Sequence, residues 1–256
     1  MALLRVENLR KEFDGLLAVD GLSFSLEKGT ITSLIGPNGA GKTTAFNQLM
    51  GLSRADEGHI YFEDKEITHL PTYRIAQLGI GRTFQNIRIF PQITVLENLM
   101  LAPRGQKGEA VFPALLRLQR LKAEEHEIRE QALGYLEVVG LTDKKDEMAE
   151  SLSHGQRKLL ELARALATGS QLLLLDEPTA GVFPETKSKI LGLLRDLSNA
   201  GKTILLIEHD MKVVMGISNR VIVLNYGKKI AEGTPEEVKG NKEVIEAYLG
   251  RENAAT

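Results

Sequence analysis

Cysteine is absent from the 256 residues, which excludes a disulfide framework and a thiolate metal site and fits a reducing compartment. Long apolar runs are absent too. None approaches the roughly 18 residues that a membrane-crossing helix needs, so work at a membrane would require a partner to hold the chain there. There is no excess charge of either sign. The 32 Lys and Arg against 34 Asp and Glu leave a net charge of -2. Global charge therefore does not favour nucleic acid or an anionic membrane surface, although a local basic patch remains open. The stretch Met1 to Leu9 has an early acidic residue and no basic-then-apolar pattern, so it does not read as a signal peptide. No internal repeat or low-complexity tract is present. What remains is an ordinary globular composition, 43% hydrophobic and 26% charged, at a length that suits one large α/β domain or a core with a smaller lobe.

The most informative stretch is Gly36-Pro37-Asn38-Gly39-Ala40-Gly41-Lys42-Thr43-Thr44. It fits the G-x-x-x-x-G-K-[ST] phosphate loop in full. Its glycines let the backbone turn with N–H groups pointing inward and leave no Cβ to block a phosphate. Lys42 would reach the β- and γ-phosphates, and the Thr43 hydroxyl would sit on Mg²⁺. Thr30 to Ile35 reads as a buried strand before it, and Lys42 to Met50 as a helix after it. That helix would aim its positive N-terminal end at the phosphates.

The rest of the chain reads as an α/β fold. Leu3 to Leu9, Leu22 to Leu26 and His59 to Glu63 are expected strands, Asp64-Lys65-Glu66 a turn, and Pro71 to Leu78 a helix opened by its proline. Gly79 to Gln85 reads as a strand with a polar exit. From Pro91 the character changes. Thr94-Val95-Leu96-Glu97 is a capping box opening a helix to Leu101, Pro103 to Gly108 reads as a loop, and Leu115 to Val139 as a long amphipathic helix closed by Gly140. The run from Pro91 to about Glu150 carries no strand signal and reads as an inserted helical lobe. Gln171 to Leu175 and Thr203 to Ile207 are short apolar runs of the kind that form buried parallel strands. A helix from Pro184 to Ser198 separates them. Val221 to Leu224 and Lys228 to Ala231 follow about a Tyr226-Gly227 turn, and Thr234-Pro235-Glu236-Glu237 caps a C-terminal helix. Arg251 to Thr256 reads as a loose tail.

Two further segments carry chemistry. The strand Leu172 to Leu175 ends in Asp176-Glu177, which places both carboxylates at the carboxyl edge of the sheet beside the phosphate loop. Asp176 would hold Mg²⁺ there, and Glu177 would polarise an attacking water. Leu152-Ser153-His154-Gly155-Gln156 precedes a helix from Arg157 to Ala167. It is either a second anion site at a helix N-terminus or a plain serine cap.

At this segment the chain resembles the ATP-binding-cassette (ABC) ATPases, whose signature is Leu-Ser-Gly-Gly-Gln; His154 replaces the first Gly of the pair. The order of phosphate loop, Gln85, signature, Asp176-Glu177 and His209 matches that family over nearly the whole chain. The resemblance implies a P-loop NTPase core with a mainly parallel sheet, an antiparallel β subdomain and an inserted helical subdomain. It implies one ABC ATPase domain over 1–256, with its core in 1–90 and 160–256 and its helical part in 91–159. It also assigns roles. Phe13 would stack on adenine. Gly36 to Thr44 would cradle the phosphates, with Thr43, Gln85 and Asp176 around Mg²⁺. Gln85, Glu177 and His209 would act on the attacking water and the γ-phosphate. Ser153, Gly155 and Gln156 would bind the ATP held by a second subunit, in a head-to-tail dimer of identical or related chains. One departure stands out: the family usually places an Asp at the position of Phe183.

Gly81 to Phe90, Val95 to Leu99, Gly15 to Val19 and Ala231 to Pro235 resemble the branched-chain amino-acid uptake ATPases, and Pro103 to Gly140 resembles the larger of the two ATPase subunits in such importers. That resemblance implies ATP and Mg²⁺ as ligands and a membrane permease as partner. It implies a cytoplasmic, peripheral location on the inner face of the membrane through that permease, with no nucleic acid bound. Phe90, Ile93 and Leu96, with Arg88 and Glu97, are the expected docking surface. A lipopolysaccharide-type exporter ATPase, a urea or amide importer and a non-transport cassette ATPase remain the alternatives.

Overall fold

A computed structural model describes residues 2–83, 85, 87–103 and 118–249, with only the backbone of 118–122 and 249. Phe84, Asn86, most of the expected loop at 103–108, the expected helix start at 115–117 and the tail from Arg251 lie outside the described residues. The chain forms two compact units, one of Met1–Arg82, Gln171–Thr179 and Leu194–Thr256, the other of Thr83–Ser170 and Ala180–Leu193.

The first unit holds two sheets. In the smaller, β1 (Ala2–Phe13), β2 (Leu16–Glu27), β4 (Glu57–Phe62) and β5 (Lys65–Glu66) lie in the order β2-β1-β4-β5, all antiparallel. Leu22, Phe24 and Leu26 point into the core while Ser23 and Ser25 stay half-buried, as alternation on a one-sided sheet requires. β1 and β2 run longer than their apolar cores suggest, because backbone pairing continues past the polar residues Arg10, Lys11 and Glu12 as far as the Phe13–Leu16 pair. Lys65 and Glu66, expected as a turn, pair with Phe62 and Tyr61; the turn falls at Glu63 and Asp64, both at positive φ.

The larger sheet has the order β10-β9-β3-β8-β7-β6, built from β3 (Ile31–Ile35), β6 (Ile80–Arg82), β7 (Leu172–Asp176), β8 (Thr203–Ile207), β9 (Arg220–Asn225) and β10 (Lys228–Gly233). Every pair is parallel except β9 with β10. All fifteen residues of β3, β7 and β8 are buried, which accounts for their near-continuous apolar sequences. The helices of this unit are α1 (Lys42–Leu49), α2 (Thr72–Leu78), α7 (Met211–Ile217), α8 (Pro235–Lys239) and α9 (Lys242–Leu249). Pro71 caps α2 rather than opening it. The expected capping box at Thr234 and Glu237 is formed.

The second unit is helical. It contains α3 (Val95–Met100), α4 (Leu118–Val139), α5 (His154–Ala167) and the start of α6 (Pro184–Asn199). α3, α4 and α5 touch pairwise and bury Leu96, Leu99, Leu136, Val139, Leu159, Leu160 and Leu166. Thr94 and Glu97 form the expected capping box, and Gly140 ends α4 at φ 61°. The chain at Lys145–Ala149 returns to the α3 entrance, where Val95 N–H donates to Glu147 C=O at 2.9 Å and Ala149 N–H to Ile93 C=O at 3.0 Å.

Candidate functional site

In the first unit the carboxyl ends of three strands meet in register. Leu34 of β3 lies opposite Ile207 of β8, and Ile207 lies opposite Asp176 of β7. The phosphate loop leaves β3 at this edge. Gly36 has φ 150° and Gly41 φ 100°, and a Cβ on either would stand 2.1 Å from the Leu224 carbonyl oxygen or 2.2 Å from that of Ala18. Only glycine fits there. The β9–β10 turn closes on the loop as well, with Gly227 N–H donating to Ala40 C=O at 3.1 Å. Asn38, Gly39 and Thr43 are exposed, Thr44 is half-buried, and Pro37 and Ala40 are buried. The N-cap of α1 is Gly41, with no side chain capping the helix, so the first-turn N–H groups have no side-chain acceptor from the cap. Lys42 is buried, and its Nζ donates to the Gly36 and Pro37 carbonyls at 2.7 and 2.9 Å. Open space surrounds the Cβ position of Gly39. An open backbone cradle, an uncapped helix start and an ammonium held at its rim suit a chain of phosphates.

Asp176, buried at the end of β7, is paired with Arg82 of β6 at 3.3 Å. Arg82 also donates to Asn47 Oδ1 on α1 at 2.7 Å. Glu177 adopts φ 50°, an uncommon conformation for a side chain of its size and one that concentrates at functional sites. Glu177 N–H is tied to Ile207 C=O at 3.0 Å, and Glu177 Oε1 lies 2.6 Å from His209 Nε2. Glu208, buried at the end of β8, accepts from the Thr179 hydroxyl at 2.7 Å, the Thr179 N–H at 3.2 Å and the His209 N–H at 3.3 Å. It thereby fixes both the β7 and the β8 exits. Phe13 stands half-exposed at the end of β1 with Lys11 Nζ 5.1 Å from its ring centroid. It belongs to the hairpin whose Ala18 touches Gly41.

No group of three or more His, Cys, Asp or Glu side chains among the described residues could hold a metal ion. A single carboxylate beside a threonine hydroxyl and a phosphate cradle is the donor set that suits Mg²⁺, which takes few protein ligands and completes its shell with phosphate and water.

Gln85, Ser153, Gly155 and Gln156 belong to the second unit. Gln85 is exposed in a bend. α5 begins at His154, three residues before the expected Arg157, because Ser153 and Gln156 form a capping box: Gln156 N–H donates to Ser153 Oγ at 3.3 Å, and Ser153 N–H to Gln156 Oε1 at 2.9 Å. Gly155 has a packing reason for its identity, since a Cβ there would lie 3.1 Å from the Thr186 side chain. Phe183, at the departure from the family pattern, is 84% exposed.

The expected docking residues divide. Arg88 and Phe90 are exposed and Ile93 is half-buried, whereas Leu96 is buried in the helical core. Glu97 is exposed but its carboxylate accepts from both the N–H and the hydroxyl of Thr94, which hold it below its ordinary range. Leu96 therefore serves the helical core and not a docking face, and Glu97 caps α3 from an exposed position. A buried lattice holds the segment Arg88–Phe90. Asn98, fully buried, accepts from Phe90 N–H at 2.9 Å and donates to the Phe90 and Thr94 carbonyls at 2.9 and 3.0 Å. Glu161 accepts from Arg88 N–H at 3.3 Å. Arg164 bonds the Arg88 carbonyl and lies 4.9 Å over the Phe90 ring. Sequence reasoning missed Arg82, Glu208, Asn98 and Arg164.

The family model for ABC transporters matches residues 19–180, and that for the branched-chain amino acid ATP-binding cassette transporter matches residues 228–254. The chain is 44% identical over 249 residues to the high-affinity branched-chain amino acid transport ATP-binding protein LivG of Salmonella typhimurium, covering 97% of this chain and 98% of that protein. It is 42% identical to BraF of Pseudomonas aeruginosa, a protein described in the same words, over the same shares of each chain. Among solved structures, the ADP conformation of an ATP-binding cassette of an ABC transporter matches with a TM-score of 0.84 and 38% identity, covering 98% of this chain and 99% of that one. A dimeric bacterial ABC transporter cassette matches with a TM-score of 0.76 and 26% identity, covering 91% and 98%.

Proposed function

The chain belongs to the ATP-binding proteins of branched-chain amino acid ABC transporters, and on that premise we propose that it hydrolyses Mg²⁺-ATP to drive uptake of branched-chain or related amino acids through a separate permease. The observation that carries the reading is the single sheet edge at which β3, β8 and β7 end in register, bringing the phosphate loop, Asp176 and the Glu177–His209 pair together.

The roles follow from chemistry. The N–H groups of Gly39 to Thr44 and the ammonium of Lys42 bind the phosphates. Phe13 stacks on the base. Thr43, Asp176 and Gln85 would hold Mg²⁺, which when bound neutralises charge on the phosphate oxygens. Glu177 accepts the proton of the water that attacks the γ-phosphorus, as the bond to the ADP oxygen breaks. His209 orients Glu177 through the 2.6 Å contact and offers a hydrogen bond to the γ-phosphate. Ser153, Gly155 and Gln156 face the ATP of a partner cassette, identical or related, in a closed dimer that ATP favours and hydrolysis releases. No helix among the described residues is long and apolar enough to cross a membrane. In this reading the chain works at the cytoplasmic face, held by the permease through the exposed residues Arg88 and Phe90.

Reconstitution tests this. The chain and its permease are placed in liposomes with binding protein and radiolabelled leucine, and uptake is followed with and without ATP on the cassette side. ATP-dependent leucine uptake is the expected result. ATP hydrolysis accompanied by uptake of urea or an amide, but not of leucine, would reassign the substrate. Hydrolysis with neither would remove the uptake reading.

A further inference from the structure

Arg82 occupies an unusual place for a cation. It ends β6, one strand from β7, with Arg82 paired in register to Leu174, two residues before Asp176. Its side chain is 4% exposed and that of Asp176 3%. Burying a carboxylate is costly unless an opposite charge and hydrogen bonds compensate it, and the guanidinium fork supplies both. One arm reaches Asp176 Oδ2 at 3.3 Å and the other Asn47 Oδ1 at 2.7 Å, while the Phe46 ring lies 5.7 Å from its carbon. Asn47 and Phe46 sit on α1, the helix that also presents Lys42 and Thr43. One cation thus ties the carboxylate of β7 to the helix behind the phosphate loop. A lysine would return the charge beside Asp176 but not the planar fork that also spans Asn47.

We propose that Arg82 is a positioning residue that acts as the internal counter-ion of Asp176, aiming this carboxylate before nucleotide arrives and setting how much Mg²⁺ the site needs. The inference rests on the nucleotide reading above, in which Asp176 faces the metal. An ion of charge two entering beside Asp176 meets a carboxylate whose charge is already compensated and a guanidinium that repels it. Removing the guanidinium should therefore lower the Mg²⁺ requirement while weakening the metal-free fold.

The test uses the full chain, ADP as probe, and calorimetric binding at increasing Mg²⁺. For Arg82→Gln, the half-saturating Mg²⁺ is expected to fall at least about fivefold, with the metal-free melting temperature lowered and largely restored by Mg²⁺-ADP. Arg82→Lys, which returns the charge, should bring the requirement back toward that of the wild type. A folded Gln variant with an unchanged or raised requirement, or a Lys variant that behaves like Gln, overturns the proposal and leaves Arg82 a structural pair. A measurement on the wild type guards against a Gln variant that does not fold. In protein labelled with ¹⁵N-arginine, the Arg82 guanidinium signal, assigned by its loss in Arg82→Lys, should move when Mg²⁺ is added to the ADP complex. A signal that stays in place refutes the idea. Absence of ADP binding by the wild type would instead remove the nucleotide reading itself, and this inference with it.

Discussion

Asn98→Leu is expected to destabilise the helical unit by an amount that can be worked out bond by bond. Leucine keeps the branched shape and the number of side-chain heavy atoms, so no cavity is left and the loss reports mainly on hydrogen bonds, with any overpacking by its methyl groups adding to it. Three are removed: one accepted from Phe90 N–H and two donated to the Phe90 and Thr94 carbonyls. Each is worth about 0.5–1.5 kcal/mol net, and a buried group left without a partner costs about 1–3 kcal/mol. Thr94 C=O keeps the Asn98 N–H of the α3 ladder, at 3.0 Å, so the two Phe90 groups dominate. The sum is about 3 kcal/mol, which corresponds to a melting shift of roughly 6–12 °C for a chain of this size. Urea denaturation gives the free energy, and hydrogen exchange at the Phe90 amide gives its location. That amide should lose protection in the variant beyond the global loss. A destabilisation under about 1 kcal/mol, with the Phe90 amide still protected, would refute the reading of Asn98 as the strut of the Arg88–Phe90 segment.

Three further outcomes are expected. Glu177→Gln should retain ATP binding and accumulate an ATP-bound dimer while turnover falls about 10²–10⁴-fold; single-turnover hydrolysis with light scattering checks both, and normal turnover would remove Glu177 as the base. Ser153→Ala should leave ADP affinity of the monomer unchanged and weaken ATP-driven dimerisation, at a stability cost of about 1 kcal/mol from the lost cap; an equal loss of monomer affinity would place Ser153 in its own chain's nucleotide site. Arg88→Glu should weaken capture by the permease with the fold intact, since its side chain is exposed and surface substitutions usually stay within about 0.5 kcal/mol; a folded variant with unchanged capture and transport would remove Arg88 from the dock.

Much of the molecule could be read locally. The phosphate loop, the leucine run into Asp176, and the capping boxes at Thr94, Ser153 and Thr234 are patterns of neighbouring residues, and their physics is local as well. What escaped depends on distant partners. Arg82 pairs with a residue 94 positions away, and no spacing rule connects them. The one signal was an arginine at the exit of a short buried strand, Ile80–Arg82, where a buried cation asks for a counter-charge. Glu208 looked like a neighbour of His209, yet its partner Thr179 is 29 positions off. Leu96 was expected at a docking face because apolar residues in a short helix read alike whether they point inward or outward. Gly155 illustrates the opposite case: its place in the signature was legible, but its contact with Thr186 required the fold.

The central strand of the larger sheet has a consequence for how the protein is made. Ile31–Ile35 pairs on one side with Thr203–Ile207 and on the other with Arg220–Asn225. Ribosomes add about 5–20 residues per second, so roughly 190 residues, from Ile35 to Asn225, take about 10–40 s to follow it. The β1–β2 hairpin, by contrast, can close as soon as its own residues emerge. Until Thr203–Ile207 is made the strand feeding the phosphate loop has neither neighbour, and until the chain passes Gly227 the Leu224 and Gly227 backbone contacts that shape the loop do not exist. Competence to bind nucleotide is therefore a late event in biosynthesis. A chain interrupted anywhere before β8 leaves an apolar strand without either neighbour on the nascent polypeptide, where chaperones have most reason to act.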